Sequence, residues 1–175
     1  MGYAAGVIVP AAQRGLQLAD ALLGGIAPEL FARQPEIDGR RVGTNHPAFI
    51  YGHLSLYPAR ILSMAGADPA AAAVPEAYEA LFAAGVECRD DPEGSVYPPM
   101  DEIVANFRSA HEAGIAFVEG LDDKALAGPH QGPERYRQVF PTLGIATNFM
   151  LTSHVMMHLG QCSAWRRCMG LGSAM

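Results

Sequence analysis

Apolar residues recur every three or four positions over four long stretches of the chain, which is the spacing of an amphipathic α-helix. These stretches run from 6 to 33, from 47 to 66, from 100 to 121 and from 141 to 169. A helix of about twenty residues is roughly 30 Å long. The pattern therefore predicts an all-α fold, an antiparallel four-helix bundle with short extra helices and long loops.

Prolines lie at informative places within this pattern. Pro47 directly follows His46, so we expect a helix that is capped near His46 and has proline in its first turn. Pro58 lies inside the same helix, where it removes one backbone hydrogen bond and predicts a kink one turn after His53. Pro10 is expected in the first turn of the first helix.

Less regular segments separate the long helices. We expect a short helix over 75–85 and a mostly irregular loop over 122–138, which is rich in glycine and proline. The polar stretch 87–99 predicts a long loop, and the pattern leaves open whether this loop is a lid or a surface excursion. The clearest strand signal, Val7–Val9, is short.

Length and charge narrow the class of protein. The chain has 175 residues, half of them hydrophobic, and we expect one domain over 1–175. The formal net charge is −6 and no stripe of basic residues exists, which argues against a nucleic-acid partner. Arg40–Arg41 is expected in a loop, and Arg166–Arg167 is expected to complement the dipole at the end of the last helix.

Few sequence features bear on the cellular compartment of the protein, and they agree with one another. The sequence has no run of eighteen apolar residues and its first residues lack the basic region of a signal peptide. Three cysteines, Cys88, Cys162 and Cys168, cannot form a complete set of disulfides. These features predict a cytoplasmic protein with free thiols and no membrane contact.

Histidine spacing carries the chemical signal. His154 and His158 are four residues apart in the last predicted helix, so both imidazoles lie on one face and can share a metal ion. The pair alone is weak, because with six histidines chance produces such a spacing in roughly one shuffled sequence in five. His53, in the second predicted helix, is the best candidate for a third ligand.

Two segments, 45–54 and 154–161, together resemble the DinB/YfiT-like family of small metal-binding four-helix bundles. In this chain they contain the motifs Gly52-His53-Leu54, His154-Val155-Met156-Met157-His158 and Gly160-Gln161. The order and separation of the two segments are also similar to those of the family. The resemblance implies that His53, His154 and His158 bind one divalent metal ion between the second and the last helix.

Three neutral imidazoles leave the full charge on a bound ion, which can then lower the pKa of a coordinated water or thiol toward neutrality. Zinc and nickel suit such ligands best, and iron is a third candidate. Neither motif contains aspartate or glutamate. This absence argues against the iron site of two histidines and one carboxylate, and against a carboxylate di-iron bundle.

Family members with assigned activities include thiol-dependent transferases and isomerases. The resemblance therefore implies a metal-dependent enzyme that acts on a small molecule with a low-molecular-weight thiol, and it also implies a homodimer. Two alternatives stay open. One is a hydrolase that uses a metal-bound hydroxide, and the other is a noncatalytic bundle for ligand binding or stress response with a structural metal.

Several side chains near the motifs have an open role. Candidates for hydrogen bonds near the ligands are Gln161, Tyr57 and Asn148, and Gln161 is equally suited to helix packing. Cys162 continues the histidine stripe but is expected to be a buried small residue rather than a fourth ligand. Packing is expected for Trp165, and exposed or loop positions are expected for His111 and His130.

Overall fold

The computed structural model describes residues 1–174, and in this part of the chain nine α-helices are joined by short turns and loops. In chain order they are α1 (Tyr3–Leu23), α2 (Pro47–Ser55), α3 (Tyr57–Met64), α4 (Ala77–Phe82), α5 (Met100–Glu119), α6 (Asp123–Ala127), α7 (Glu134–Val139), α8 (Leu143–Asn148) and α9 (His154–Cys168). A π-helical segment, Phe149–Ser153, joins α8 to α9. The predicted all-α fold is confirmed.

The remaining regular structure is small. Two 3-10 turns are formed by Pro28–Leu30 and Pro69–Ala72. Strand β1 (Glu36–Ile37) pairs in antiparallel register with strand β2 (Arg40–Arg41), so the two arginines lie in a short ribbon rather than in the predicted loop. No helix among residues 1–174 combines the length and the apolar character needed to cross a bilayer.

Four helical units enclose the core: α1, the α2–α3 pair, α5, and the continuous unit from α8 to α9. Helix α5 packs on α1 and on α2–α3, and the α8–α9 unit packs on the same two from the other side. Helices α1 and α9 run in the same direction, since Gly15 lies against Val155 and Arg166 reaches the Leu22 carbonyl further along both. Helix α9 runs against α2, since His53 lies beside His154 while Asn45, at the start of α2, bonds to Gln161 further along α9.

The first helix differs from its prediction at both ends. It begins at Tyr3 and ends at Leu23, because Gly24 and Gly25 follow and Gly25 takes a positive φ of 75°. Val7–Val9 is therefore helical, and the strand signal was wrong. Pro10 lies in the third turn rather than the first.

The second predicted helix is divided as its proline suggested. Helix α2 ends at Ser55, and α3 begins at Tyr57 with Pro58 in its first turn. Pro58 also packs closely on Gly114 of α5, where an added Cβ would lie 2.9 Å from the proline Cβ. The kink is confirmed, and it lets the second unit bend around α5.

The loops largely follow the pattern. Segment 87–99 contains no helix or strand, as predicted, whereas 122–138 holds α6 and the first five residues of α7. Asp122 caps α6 by accepting a hydrogen bond from the Ala125 N–H. This segment is therefore more regular than its glycines and prolines suggested. The last predicted helix, 141–169, is observed over 143–168 with the π-helical turn inside it.

Candidate metal centre

Three histidine side chains meet between α2 and α9. Nε2 of His53 lies 3.3 Å from Nε2 of His154, and Nε2 of His158 lies 3.1 Å from the same atom. All three rings are buried, and their ligand atoms lie within 4.8 Å of one another. The structure thus brings together the three residues that the sequence singled out, although His53 and His154 are 101 positions apart.

The separations between these nitrogens fit a shared ion. Zinc binds imidazole nitrogen at about 2.0–2.1 Å in tetrahedral geometry, which places neighbouring ligand atoms about 3.3 Å apart. The two measured separations, 3.3 and 3.1 Å, are close to this value. Among residues 1–174, the only group of metal-capable side chains that converges in this way is this set of three, and it contains no carboxylate.

Hydrogen bonds on the far side of two rings fix their tautomers. Nδ1 of His53 lies 2.7 Å from the Phe82 carbonyl, and Nδ1 of His158 lies 3.1 Å from Oε1 of Gln161. Both acceptors are oxygens without hydrogen, so each Nδ1 carries the proton and each Nε2 presents a lone pair. This arrangement is the one that metal-binding histidines use. Asn45 donates to the same Gln161 oxygen and holds it in place.

Gly52 allows the hydrogen bond between His53 and the Phe82 carbonyl to form. An added Cβ there would lie 2.6 Å from atoms of the Phe82 ring, so only glycine lets α4 approach α2 this closely. The Phe82 carbonyl at the end of α4 can then accept from His53. The residue next to the ligand thus decides which backbone group orients it.

Burial keeps the three rings neutral. Burial, together with a smaller effect of neighbouring imidazoles, lowers the pKa of His53 to about 4 and that of His154 to about 3. The pKa of His158 is also lowered by burial, against a smaller opposite effect of its bond to Gln161. At neutral pH the centre therefore consists of uncharged imidazoles, which is the form that binds metal.

A π-helical turn lies directly before His154. The turn spans Phe149–Ser153, and the hydroxyl of Thr152 donates to the carbonyl of Asn148, the residue that precedes the turn. Such turns insert one residue into a helix and are frequent at functional sites. The inserted residue sets the direction in which α9 presents both of its histidines.

An aromatic cavity of about 430 Å³ reaches the centre at His154. Its walls also contain Tyr57, Arg135, Tyr136, Val139, Phe140, Phe149 and Met150. The Tyr57 ring lies 4.2 Å from the His154 ring, and the Phe149 ring stacks on it at 5.5 Å, both measured between centroids. A small apolar molecule can thus reach one of the three histidines.

The neighbouring residues take different roles. Gln161 contacts His158, and Tyr57 lines the cavity, whereas Asn148 is exposed and bonds to Thr152 on its own helix. Cys162 is fully buried outside the cluster, and burial raises the pKa of its thiol to about 12. A neutral thiol of this kind is a core residue rather than a metal ligand.

Packing and capping roles are confirmed at two further positions. The His46 ring accepts a hydrogen bond from the Phe49 N–H and caps α2. Trp165 is fully buried, and its indole N–H donates to the Arg33 carbonyl. All three cysteines are free thiols.

One expectation about a single residue was wrong, because His111 is buried within α5 rather than exposed or in a loop. His130 lies in a loop as expected, although it is buried. Arg166 and Arg167 lie in the last turn of α9 as expected, but Arg166 is also buried and donates to the Leu22 and Gly24 carbonyls at the end of α1, so it joins α9 to α1. Hydrophobic periodicity cannot distinguish a buried polar side chain with backbone partners from an exposed one.

Sequence reasoning also missed several residues around the centre. Phe82 acts through its carbonyl, which every residue has, so its side chain gives no signal. Arg135 and Tyr136 line the cavity from α7, a helix that was not predicted. Phe149 precedes His154 by five residues, and its role depends on the π turn.

The sequence profile of the DinB superfamily matches residues 11–162 of the chain. This range contains all three histidines of the cluster and spans most of the sequence. No curated protein and no solved structure matches the chain.

Proposed function

The chain belongs to the DinB superfamily, and from this premise we propose that it is a metal-dependent enzyme whose single divalent ion is held by His53, His154 and His158. The observation that carries the proposal is the convergence of three histidine nitrogens, with the Nε2 atoms of His53 and His158 at 3.3 and 3.1 Å from Nε2 of His154 and both fixed as lone-pair donors. Zinc or nickel is proposed as the ion, with iron as the third candidate.

An ion at this site would supply Lewis acidity, which lowers the pKa of a thiol or water that completes its coordination. The protein residues supply the rest. His53 and His158 are oriented by Phe82 and Gln161, so their lone pairs need no rearrangement when the ion binds. Three protein ligands leave a fourth position of a tetrahedral ion for a reactant.

We propose thiol transfer or thiol-dependent isomerisation as the reaction, with a low-molecular-weight thiol as co-substrate. The aromatic walls of the cavity at His154 favour this over hydrolysis, because they suit the body of an apolar electrophile better than they suit water. The body of the electrophile would pack against Tyr57 and Phe149, and its reactive carbon would face the centre.

Metal binding is tested first. The parent protein and His158→Ala are titrated with zinc and nickel in competition with a coloured chelator, and His130→Asn serves as a control that removes a buried histidine elsewhere. We expect one equivalent of metal in the parent and control, and a much weaker complex in His158→Ala. Equal affinity in all three proteins would contradict the ligand assignment.

Catalysis is tested with a panel of apolar electrophiles and several small thiols, comparing metal-loaded with chelated protein. Consumption of the thiol that requires metal supports transfer. Metal-dependent turnover without any thiol would indicate a hydrolase. Metal binding without turnover of any panel member would favour a structural metal in a noncatalytic bundle.

A further inference from the structure

The cavity at His154 adjoins a second cavity of about 490 Å³, and both are lined by Arg135, Tyr136 and Met150. The second cavity adds Arg60 and Glu79 to the polar part of the walls. Together they form a groove with aromatic walls at the histidine end and guanidinium groups further out. We call it the aromatic groove.

The two arginines of the aromatic groove differ in their partners. Arg60 donates to both carboxylate oxygens of Glu79, at 2.9 and 3.0 Å. Arg135 has no acidic partner within residues 1–174, and its guanidinium carbon lies 5.3 Å from the centre of the Tyr136 ring. An arginine held against a ring with its donors free is suited to bind a carboxylate in a bidentate manner.

We propose that the aromatic groove binds an apolar or aromatic compound that carries a carboxylate, with the carboxylate on Arg135 and the apolar body directed toward His154. The assignment of this compound as the electrophile rests on the proposed function, but the binding step does not. The net charge of −6 disfavours the approach of an anion, so a carboxylate ligand needs a local cation such as Arg135 at its binding site.

Calorimetry with 3-phenylpropionate and the uncharged 3-phenylpropionamide tests the proposal in zinc-loaded and in chelated protein. We expect the acid to bind about tenfold more tightly than the amide in both forms, as for a charge-assisted hydrogen bond. Arg135→Gln should reduce this preference to about twofold or less. Arg137→Gln, a matched control on the same helix, should retain it because Arg137 already bonds Glu134 and the Gly132 carbonyl.

Equal binding of acid and amide, or no binding of either, would overturn the proposal. A preference for the acid that survives Arg135→Gln would also overturn the proposal. So would a preference that disappears when zinc is chelated, because the ion itself would then be binding the carboxylate. If the parent protein prefers the acid but proves unable to bind zinc at all, the anion site is supported and the proposed function is contradicted. The two failures are therefore distinguishable.

A second, independent observation concerns the third ligand. His154 has a buried Nδ1 without a hydrogen-bond partner, unlike Nδ1 of His53 and His158. His111 on α5 has a buried Nε2 without a partner, while its Nδ1 donates to the Phe107 carbonyl. The His111 Nε2 is therefore an acceptor, and the His154 Nδ1 becomes a donor when its Nε2 binds metal.

These two unpartnered atoms are complementary, and both rings lie near the break between α2 and α3. The Tyr57 ring lies 4.2 Å from the His154 ring, and Gly114, one turn after His111 on α5, packs on the neighbouring Pro58. Both histidines belong to helices that enclose the core. Leaving a buried donor and a buried acceptor both unpaired is unfavourable, because each has lost its hydrogen bonds to water without a replacement.

We infer that His111 is a positioning residue that accepts a hydrogen bond from the His154 Nδ1, directly or through one buried water, when metal is bound. It would orient His154 as Phe82 orients His53 and Gln161 orients His158. All three ligands would then have an acceptor behind the ring. This inference rests on the metal site of the proposed function, not on its catalytic activity.

Zinc affinity and nitrogen NMR test this inference. His111→Phe should weaken zinc binding about 10- to 100-fold, and His111→Gln, whose amide oxygen can accept, should recover most of the loss. His130→Phe is the control for removal of a buried histidine. In zinc-loaded protein the His154 Nδ1 should be protonated, and its nitrogen resonance should shift in His111→Phe.

Unchanged zinc affinity together with an unchanged His154 resonance in His111→Phe would overturn the inference and leave the ligand set intact. A parent protein that binds no zinc would overturn both. Zinc binding without turnover would contradict only the catalytic part of the proposed function. Recovery by His111→Gln separates positioning from a general loss of packing.

Discussion

Buried histidines in this protein are of two kinds. His46 and His130 lie beside loops, and each ring accepts from one backbone N–H and lies within hydrogen-bond distance of one backbone carbonyl. In the cluster of His53, His154 and His158, the Nε2 atoms instead face one another at 3.1 and 3.3 Å. All five rings are buried to a similar extent.

The two kinds of histidine differ in whether the protein supplies a hydrogen-bond partner for each ring nitrogen, not in how deeply the rings are buried. A ring between an N–H and a carbonyl is satisfied as a neutral imidazole, so it stabilises a loop and needs nothing else. In the cluster, the Nε2 lone pairs of His53 and His158 both face Nε2 of His154, which can offer at most one proton, whereas a shared cation can serve all three nitrogens. Accounting for each ring nitrogen therefore separates structural from metal-binding histidines better than burial does.

The strongest test of this comparison removes one ring from each kind. Structural zinc sites with four ligands bind with about 10–16 kcal/mol in total. Because one ligand accounts for about a quarter of that energy, His158→Ala should weaken zinc binding about 100- to 1000-fold. His130→Asn should leave zinc affinity unchanged while lowering thermal stability. Chelator competition and a melting curve for each variant measure both quantities. The reverse pattern would contradict the division into two kinds.

Metal should stabilise the fold through the cluster alone. At a free zinc concentration about one hundred times the dissociation constant, binding adds about 2.7 kcal/mol to the free energy of unfolding. For a chain of this size that corresponds to a rise in Tm of roughly 5–10 °C. Calorimetric scans with zinc and with chelator should show the shift in the parent and not in a His154→Ala variant. An equal shift in both would place the ion elsewhere.

His111 lies between the two kinds of histidine, since one of its ring nitrogens bonds to a backbone carbonyl and the other has no partner. We expect it to make the stability of the fold depend on pH. Burial lowers its pKa to about 4, so the unfolded chain binds a proton at higher pH than the folded one. Its contribution to stability is complete above about pH 6.5 and declines as the pH falls toward 4. In chelated protein, we expect this group to account for about 2 kcal/mol of the loss between pH 7 and 4.5.

Urea unfolding at both pH values measures that loss. His111→Phe should lose about 2 kcal/mol less than the parent over this interval, even if its stability at pH 7 is lower. His46→Phe is not a suitable control, because the pKa of His46 is also lowered by burial. An identical loss in His111→Phe and in the parent would show that His111 does not titrate in this range.

The smallest expected effect concerns the group behind a ligand. Gln161→Met keeps the size of the side chain but removes the acceptor of His158 Nδ1, and it should weaken zinc binding about tenfold. Asn45, which now donates to the same oxygen, would lose its partner as well. If Gln161→Met binds zinc like the parent, the hydrogen bond that orients His158 contributes little, and the three rings alone account for zinc affinity.

Much of this architecture follows from local patterns. Helical periodicity and proline positions predicted α5 almost to its ends, the start of α2 and its break near Pro58. A spacing of four placed His154 and His158 on one face without any knowledge of tertiary contacts. These features depend on residues close in sequence, whose geometry the backbone itself dictates.

Other features depend on contacts between distant segments. His53 meets His154 only because α2 and α9 run against each other across the core, and Phe82 orients His53 through a carbonyl that any residue would offer. The burial of His111 likewise depends on which face of α5 the other helices cover. Side-chain periodicity describes one helix at a time, whereas the partner of each buried nitrogen is selected by how the helices pack together.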